Sequence, residues 1–325
     1  MEKANLLSAV PQRDSAENAS APIPPVSSKQ GSGESPPSPG SGVASAAAAP
    51  QPLVPLSRPI AAEAALSPSF WEPAPSPAGN SHSASIAIYS LAGGVGKTTI
   101  CANLGRILCS RGEHVLLMDA SGSGLLPFYF GSSNFRPGFR IFADPQGQYP
   151  PVRVLGETDA ITTAWLDETL DPAMRAVQRT IFDLGAASMA ALPQILSRCG
   201  ALLVPLRTDL NSILTVPRIE AMVSAMRAQG LTVPVPHYVF NAWNEQSSRD
   251  QQMRDLVSRQ CGGRLLPIAI RDGHECEEAI AGRMTVADHS PASEIASDYS
   301  SLAAWISDLL PAQPRTVAAQ RWVER

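Results

Sequence analysis

Short apolar runs alternate with longer stretches of helical periodicity from Ser85 onward. "SIAIYS" (Ser85–Ser90) is a β-branched run that stops at glycines, and "TTICANLGRILCSRG" carries apolar residues at helical spacing up to a glycine stop at Gly112. "HVLLMDA", ending near Asp119, is continuous enough to predict a parallel strand buried on both faces. The alternation continues with strand "RTIFDLGA", helix around "MAALPQILSRC", strand "ALLVPL", helix "DLNSILTVPRIEAMVSAMRAQG", strand "HYVFN", helix "SSRDQQMRDLVSRQC" and strand "RLLPIAI". Two further helical stretches, "HECEEAIAGR" and "PASEIASDYSSLAAWISDLL", close the pattern. It predicts an α/β fold with a mostly parallel sheet flanked by helices on both faces, whose ligands bind beyond the carboxyl ends of the strands. "TAWLDETLDPAMRAVQ" is expected to be helical, whereas the proline- and aromatic-punctuated stretch 124–154 matches neither period.

Composition divides the 325 residues differently. Half of the 30 prolines precede Ser85, in runs such as "APIPPVSS" and "EPAPSPAGN" without apolar periodicity, which predicts a disordered arm over 1–84. One domain is expected over 85–311, followed by a tail, 312–325, in which Val317, Trp322 and Val323 stand beside arginines as a frayed, weakly amphipathic terminus.

The formal net charge of −4 gives no general attraction to nucleic acid, so no specific nucleic acid partner is expected. No apolar run is long enough to span a bilayer and no secretory leader is evident, which predicts a cytoplasmic location. The five cysteines form no C-x-x-C pair and read as reduced thiols. The histidines lack ligand spacing for a transition metal.

The chemistry concentrates in "SLAGGVGKTTI" (Ser90–Ile100), between predicted strand and predicted helix. A phosphate-binding loop reads G-x-x-x-x-G-K-S/T, and Leu91 replaces its first glycine. Gly93, Gly94 and Gly96 still allow the backbone to curl so that its N–H groups, Val95 included, face phosphate oxygens, and the following helix adds its positive dipole end. Lys97 is placed to neutralise the β- and γ-phosphates, Thr98 to meet Mg²⁺, and Thr99 completes the loop. Asp183, ending "TIFD", is the expected partner of Mg²⁺ through water, and Asp119 is the other strand-end carboxylate available to metal.

These features resemble the MinD/ParA family of deviant P-loop ATPases, whose loop usually reads K-G-G-V-G-K-T-T. The resemblance covers about 85–310 and implies ATP and Mg²⁺ as cofactors and a homodimer as the working state. It also implies that Asn241, ending "YVFN", reads adenine, with Pro267 of "LLPIAIRDG" as a weaker candidate near the base. Two positions depart from the family. Ala92 replaces the lysine that reaches the partner subunit's phosphates, and the D-x-D after the second strand becomes "DAS", placing Ser121 at the catalytic position. Serine orients water but is not a base near neutral pH, and losing a positioned base costs about 10²–10⁴-fold in rate. Slow or absent hydrolysis is therefore expected, with Asp119 as the alternative catalytic group.

The segment "GRLLPIAIRDGHECEEAIAGRMTVADHSPASEIASDYSSLAAWI" is in turn similar to the BcsQ/YhjQ branch encoded in bacterial cellulose-synthase operons. That likeness implies a regulatory or assembly subunit for cellulose synthesis and secretion, with synthase and secretion-complex partners at the inner membrane. The alternatives are a positioning ATPase that moves DNA, flagellar or division cargo, and a ligase resembling dethiobiotin synthetase. Phe128, Tyr129 and Phe130, directly after the nucleotide-sensing loop, read either as core or as part of a partner-facing switch.

Overall fold

The computed structural model describes residues 84–314 except 135, 145, 158–160, 171–172 and 175. The predicted amino-terminal arm and most of the carboxyl-terminal tail lie outside the described residues.

Eight strands form one sheet among the described residues: β1 (Ser85–Ile88), β2 (Val115–Ala120), β3 (Gly138–Phe142), β4 (Val152–Gly156), β5 (Arg179–Leu184), β6 (Ala201–Leu206), β7 (Pro236–Trp243) and β8 (Leu265–Arg271). Their order is β3-β4-β2-β5-β1-β6-β7-β8, parallel throughout except for β3, which runs antiparallel to β4. Chain-distant β2, β5 and β1 are thus side by side, with Asp119 paired to Asp183 and Asp183 to Ile88 in register. The sheet therefore brings both aspartates to the strand end from which the glycine-rich loop departs.

Alternate residues of each central strand enter opposite cores, as the period of an extended chain requires. Ile86, Ile88, Val115 and Leu117 pack with the helices α1 (Lys97–Ser110) and α7 (Glu294–Leu309). Ala87, Leu116 and Met118 face the opposite layer, built on α2 (Leu192–Leu196), α3 (Val216–Ala228) and α4 (Ser248–Cys261). Two shorter helices follow: α6 (Val286–His289) lies against α1, and α5 (Glu275–Ala281) packs on α6 and on the turn Leu126–Phe130. Arg179, fully buried, is neutralised by Glu113 (Nε to Oε2, 2.6 Å) and donates to the Leu310 carbonyl at 2.8 Å, tying the end of α7 to β5.

Two expected helices are not single uniform α-helices. In "TAWLDETLDPAMRAVQ", an N-cap at Thr162 starts one α-turn, Thr163–Trp165, which widens to a π-turn over Leu166–Leu170. "DLNSILTVPRIEAMVSAMRAQG" divides into Leu210–Ile213 and α3, with Pro217 in the opening turn of α3, where its missing N–H costs least. The stretch 124–154 resolves into a 3₁₀ turn, Leu126–Phe130, and the hairpin β3–β4. No helix among the described residues is long and apolar enough to cross a membrane.

Candidate functional site

The loop between β1 and α1 is shaped by left-handed glycines. Gly94 and Gly96 have φ of +69° and +86°, and Gly96 is the N-cap of α1, which no side chain caps. The amide donors of the first turn are consequently not taken by a capping side chain, the arrangement that favours an anion. Asn241, near the end of β7, sits directly against this turn: its Nδ2 donates to the Val95 carbonyl at 3.0 Å. A Cβ at Gly96 would stand 2.1 Å from that Nδ2. Glycine at position 96 is therefore required both by backbone torsion and by the close approach of Asn241.

Lys97 folds back over the loop, its Nζ donating to the Ala92 carbonyl at 3.2 Å. Burial lowers its pKa and the nearby Asp183 opposes that shift. Thr98 Oγ1 donates to Asp183 Oδ2 at 2.6 Å. Asp183 is completely buried, and burial raises its pKa to about 7, against the Thr98 hydrogen bond and with a further upward push from Asp119. Its Oδ1 is buried without a hydrogen-bond partner. A buried carboxylate oxygen with nothing to accept from, beside a threonine hydroxyl, matches the oxygen-donor preference of Mg²⁺.

Asp119 is equally buried but fully engaged by its own loop. Its Oδ1 accepts from Ser121 Oγ at 2.7 Å and Ser121 N at 3.3 Å, while Oδ2 accepts from the Leu126 amide at 3.0 Å. Ser121 Oγ also meets Ser123 Oγ at 2.7 Å. The loop after β5 lies backbone to backbone on this one, since a Cβ at Gly185 would stand 2.5 Å from the Ser121 carbonyl oxygen.

The structure thus brings together Gly93, Gly94, Val95, Gly96, Lys97, Thr98 and Thr99 on one loop and helix start, with Asp119, Ser121, Asp183 and Asn241 around them. Pro267 lies mid-strand in edge strand β8, next to the strand that carries Asn241, and its carbonyl accepts from Arg254 Nη2 at 3.0 Å. Sequence reasoning missed Tyr129 as a member of the site. Its buried hydroxyl is 2.8 Å from Thr99 Oγ1, and it divides the aromatic run between the two readings: Tyr129 is interior, whereas Phe128 and Phe130 are half-buried. The signal available was only that "LLPFYF" closely follows Asp119.

With this geometry in place, a family model described as the CobQ/CobB/MinD/ParA nucleotide binding domain matches residues 86–286, more than half of the chain. The chain belongs to that family.

Three solved structures illustrate the shared fold. The septum site-determining protein MinD of Pyrococcus horikoshii, complexed with Mg-ADP, is 17% identical with a TM-score of 0.54, over 69% of this chain and 96% of its own. The McdA–ATP complex of Cyanothece is 15% identical (TM-score 0.53; 73% and 100% covered). Cobyrinic acid a,c-diamide synthase of Mycobacterium smegmatis, with bound ADP and magnesium, is 17% identical (TM-score 0.52; 70% and 98% covered). At these identities the likeness establishes the fold, a MinD-like P-loop NTPase, and nothing finer. No curated protein matches the chain in sequence.

Proposed function

We propose that this protein binds ATP with Mg²⁺, dimerises in the bound state, hydrolyses slowly or not at all, and serves as a regulatory or assembly subunit for bacterial cellulose synthesis and secretion at the inner membrane. The observation that carries the nucleotide reading is the Thr98–Asp183 pair, with an unpartnered buried Oδ1 beside a glycine-shaped, uncapped helix start. The nucleotides bound in the three fold relatives support the same ligand class. In this reading the loop amides and Lys97 hold phosphate oxygens, and Thr98 and Asp183 hold Mg²⁺, which supplies charge neutralisation when bound. Asn241, which fixes the Val95 carbonyl, is close enough to the loop to orient a base.

Slow hydrolysis rests on Ser121 and Asp119. Ser121 Oγ is occupied by Asp119 and Ser123, and both Asp119 oxygens accept from their own loop, so neither is a free base for water. Ala92 offers no charge across a subunit interface, leaving dimerisation to the rest of the surface. The cellulose role rests on the sequence likeness of the stretch from Gly263 to Ile306 to the BcsQ/YhjQ branch.

The test combines calorimetric titration of Mg-ATP, light scattering and phosphate release on the purified chain, then affinity capture from cells with Mg-ATP. Tight binding, a nucleotide-dependent doubling of mass, little phosphate, and recovery of cellulose-synthase subunits are expected. Rapid phosphate release with capture of DNA or division components would instead assign a cycling positioning ATPase, the role suggested by likeness to MinD.

A further inference from the structure

A cleft of about 520 Å³ opens beside the Leu126–Phe130 turn. Its walls come from four separate elements: Arg106 of α1, Tyr129 and Phe130 of the 3₁₀ turn, Phe142 and Tyr149 of the β3–β4 hairpin, and Arg283 after α5. The volume is that of a small-molecule site, and the lining combines aromatic rings with two guanidinium groups and the carboxylates of Asp144 and Asp288, an apolar wall with a few polar groups as such sites have. Phe130 and Phe142 pair at 5.4 Å between centroids, and the Arg106 guanidinium lies 5.5 Å from the centre of the Tyr149 ring.

The two arginines differ in what they leave available. Arg106 is bound to Asp288 at 2.7 Å and to Asp144 at 3.2 Å, so its charge is spent on the walls. Arg283 is exposed, lies 5.5 Å from the Phe128 ring centre, and has no ion-pair partner among the described residues. Its backbone is unusual as well. After α5 the chain turns through a left-handed residue at Arg283, φ +56°, although Gly282 immediately before it takes φ −76°. The Met284 amide closes the turn on Ala279 O at 2.8 Å. Glycine ordinarily fills that position because a side chain is strained there. A left-handed arginine that lines an aromatic cleft with a ring contact but no ion-pair partner among the described residues is a feature that packing alone does not explain.

We infer that this cleft is a second ligand site, for a small planar aromatic anion whose ring lies among Phe130, Phe142 and Tyr149 and whose carboxylate or phosphate pairs with Arg283. Its occupancy is coupled to the glycine loop through Tyr129, which lines the cleft while its hydroxyl meets Thr99 in the first turn of α1. The coupling, though not the binding, rests on the nucleotide reading above.

The test uses anilinonaphthalene sulfonate, a fluorescent aromatic anion, titrated into the full chain with and without Mg-ATP. Saturable binding at one site per chain is expected, displaced by an aryl carboxylate, an aryl phosphate, or both, which identifies the natural anion's chemistry. Arg283→Gly relieves the turn, so its melting temperature should not fall, yet probe affinity should drop roughly tenfold or more, with partial return in Arg283→Lys. Mg-ATP should shift the probe affinity several-fold in the native chain, and the ratio should return to one in Tyr129→Phe. Absence of saturable binding, or equal affinity in a folded Arg283→Gly, overturns the proposal. So does a native ratio of one when Mg-ATP is seen to bind calorimetrically. If Mg-ATP itself fails to bind, the nucleotide reading falls and the Arg283 comparison alone decides the cleft.

Discussion

The Thr98 hydroxyl donates to Asp183 Oδ2 at 2.6 Å, fastening the first turn of α1 to the end of a strand 85 residues further along the chain. This one bond joins the glycine-rich loop to the buried carboxylate proposed above to hold the metal. It partly offsets a desolvation that pushes the Asp183 carboxyl up to about 7.

That shift has a definite sign. A carboxyl whose folded pKa exceeds its unfolded value holds its proton more tightly in the folded chain, so the contribution of Asp183 to stability is fully present below about pH 4 and is lost as pH rises through about 7. Asp183→Asn should abolish this contribution to the pH dependence and stabilise the nucleotide-free protein by roughly 1–3 kcal/mol at about pH 8. The same variant should lose most Mg²⁺-dependent nucleotide affinity. Denaturant melts across pH and calorimetry check the two outcomes, and unchanged stability together with unchanged affinity would remove Asp183 from the site.

Gly96→Ala places a methyl group against Asn241 Nδ2 in a left-handed turn. Nucleotide affinity should fall by roughly 100-fold, about 2.7 kcal/mol, since the loop must reopen to admit the Cβ. Circular dichroism should show the fold retained, which separates a loop defect from unfolding.

Ser121→Asp restores a carboxylate next to the predicted phosphate position. If a water-orienting acid is what the site lacks, phosphate release should rise roughly 10–100-fold in a steady-state assay. The variant should also be less stable, because the new charge faces Asp119 in place of a hydroxyl that donates to it at 2.7 Å. An unaltered rate would place the kinetic limit elsewhere.

Glu113→Ala leaves the fully buried Arg179 without its counter-ion. A loss of about 3–5 kcal/mol is expected in chemical denaturation, and replacing both, Arg179→Met with Glu113→Leu, should recover much of it. Equal destabilisation by the single and the double change would show that the Leu310 carbonyl contact, rather than charge, is what matters.

The site and the fold were legible to different extents. Gly96, Lys97, Thr98 and Asp183 could be read directly because a phosphate loop imposes residue types at fixed spacing, and buried parallel strands such as "HVLLMDA" are continuous apolar runs. β3 was not legible: as an edge strand it leaves Phe139 and Ile141 exposed, so its alternation carries little burial signal. Neither were the contacts of Tyr129 with Thr99 or of Leu126 with Asp119, which depend on how a proline-containing turn folds back on the sheet.

Gly185 fits against the Ser121 carbonyl with no room for even one carbon between the two turns. Any side chain at position 185 must therefore push the Ser121 backbone aside, so the two turns keep their spacing only with glycine there.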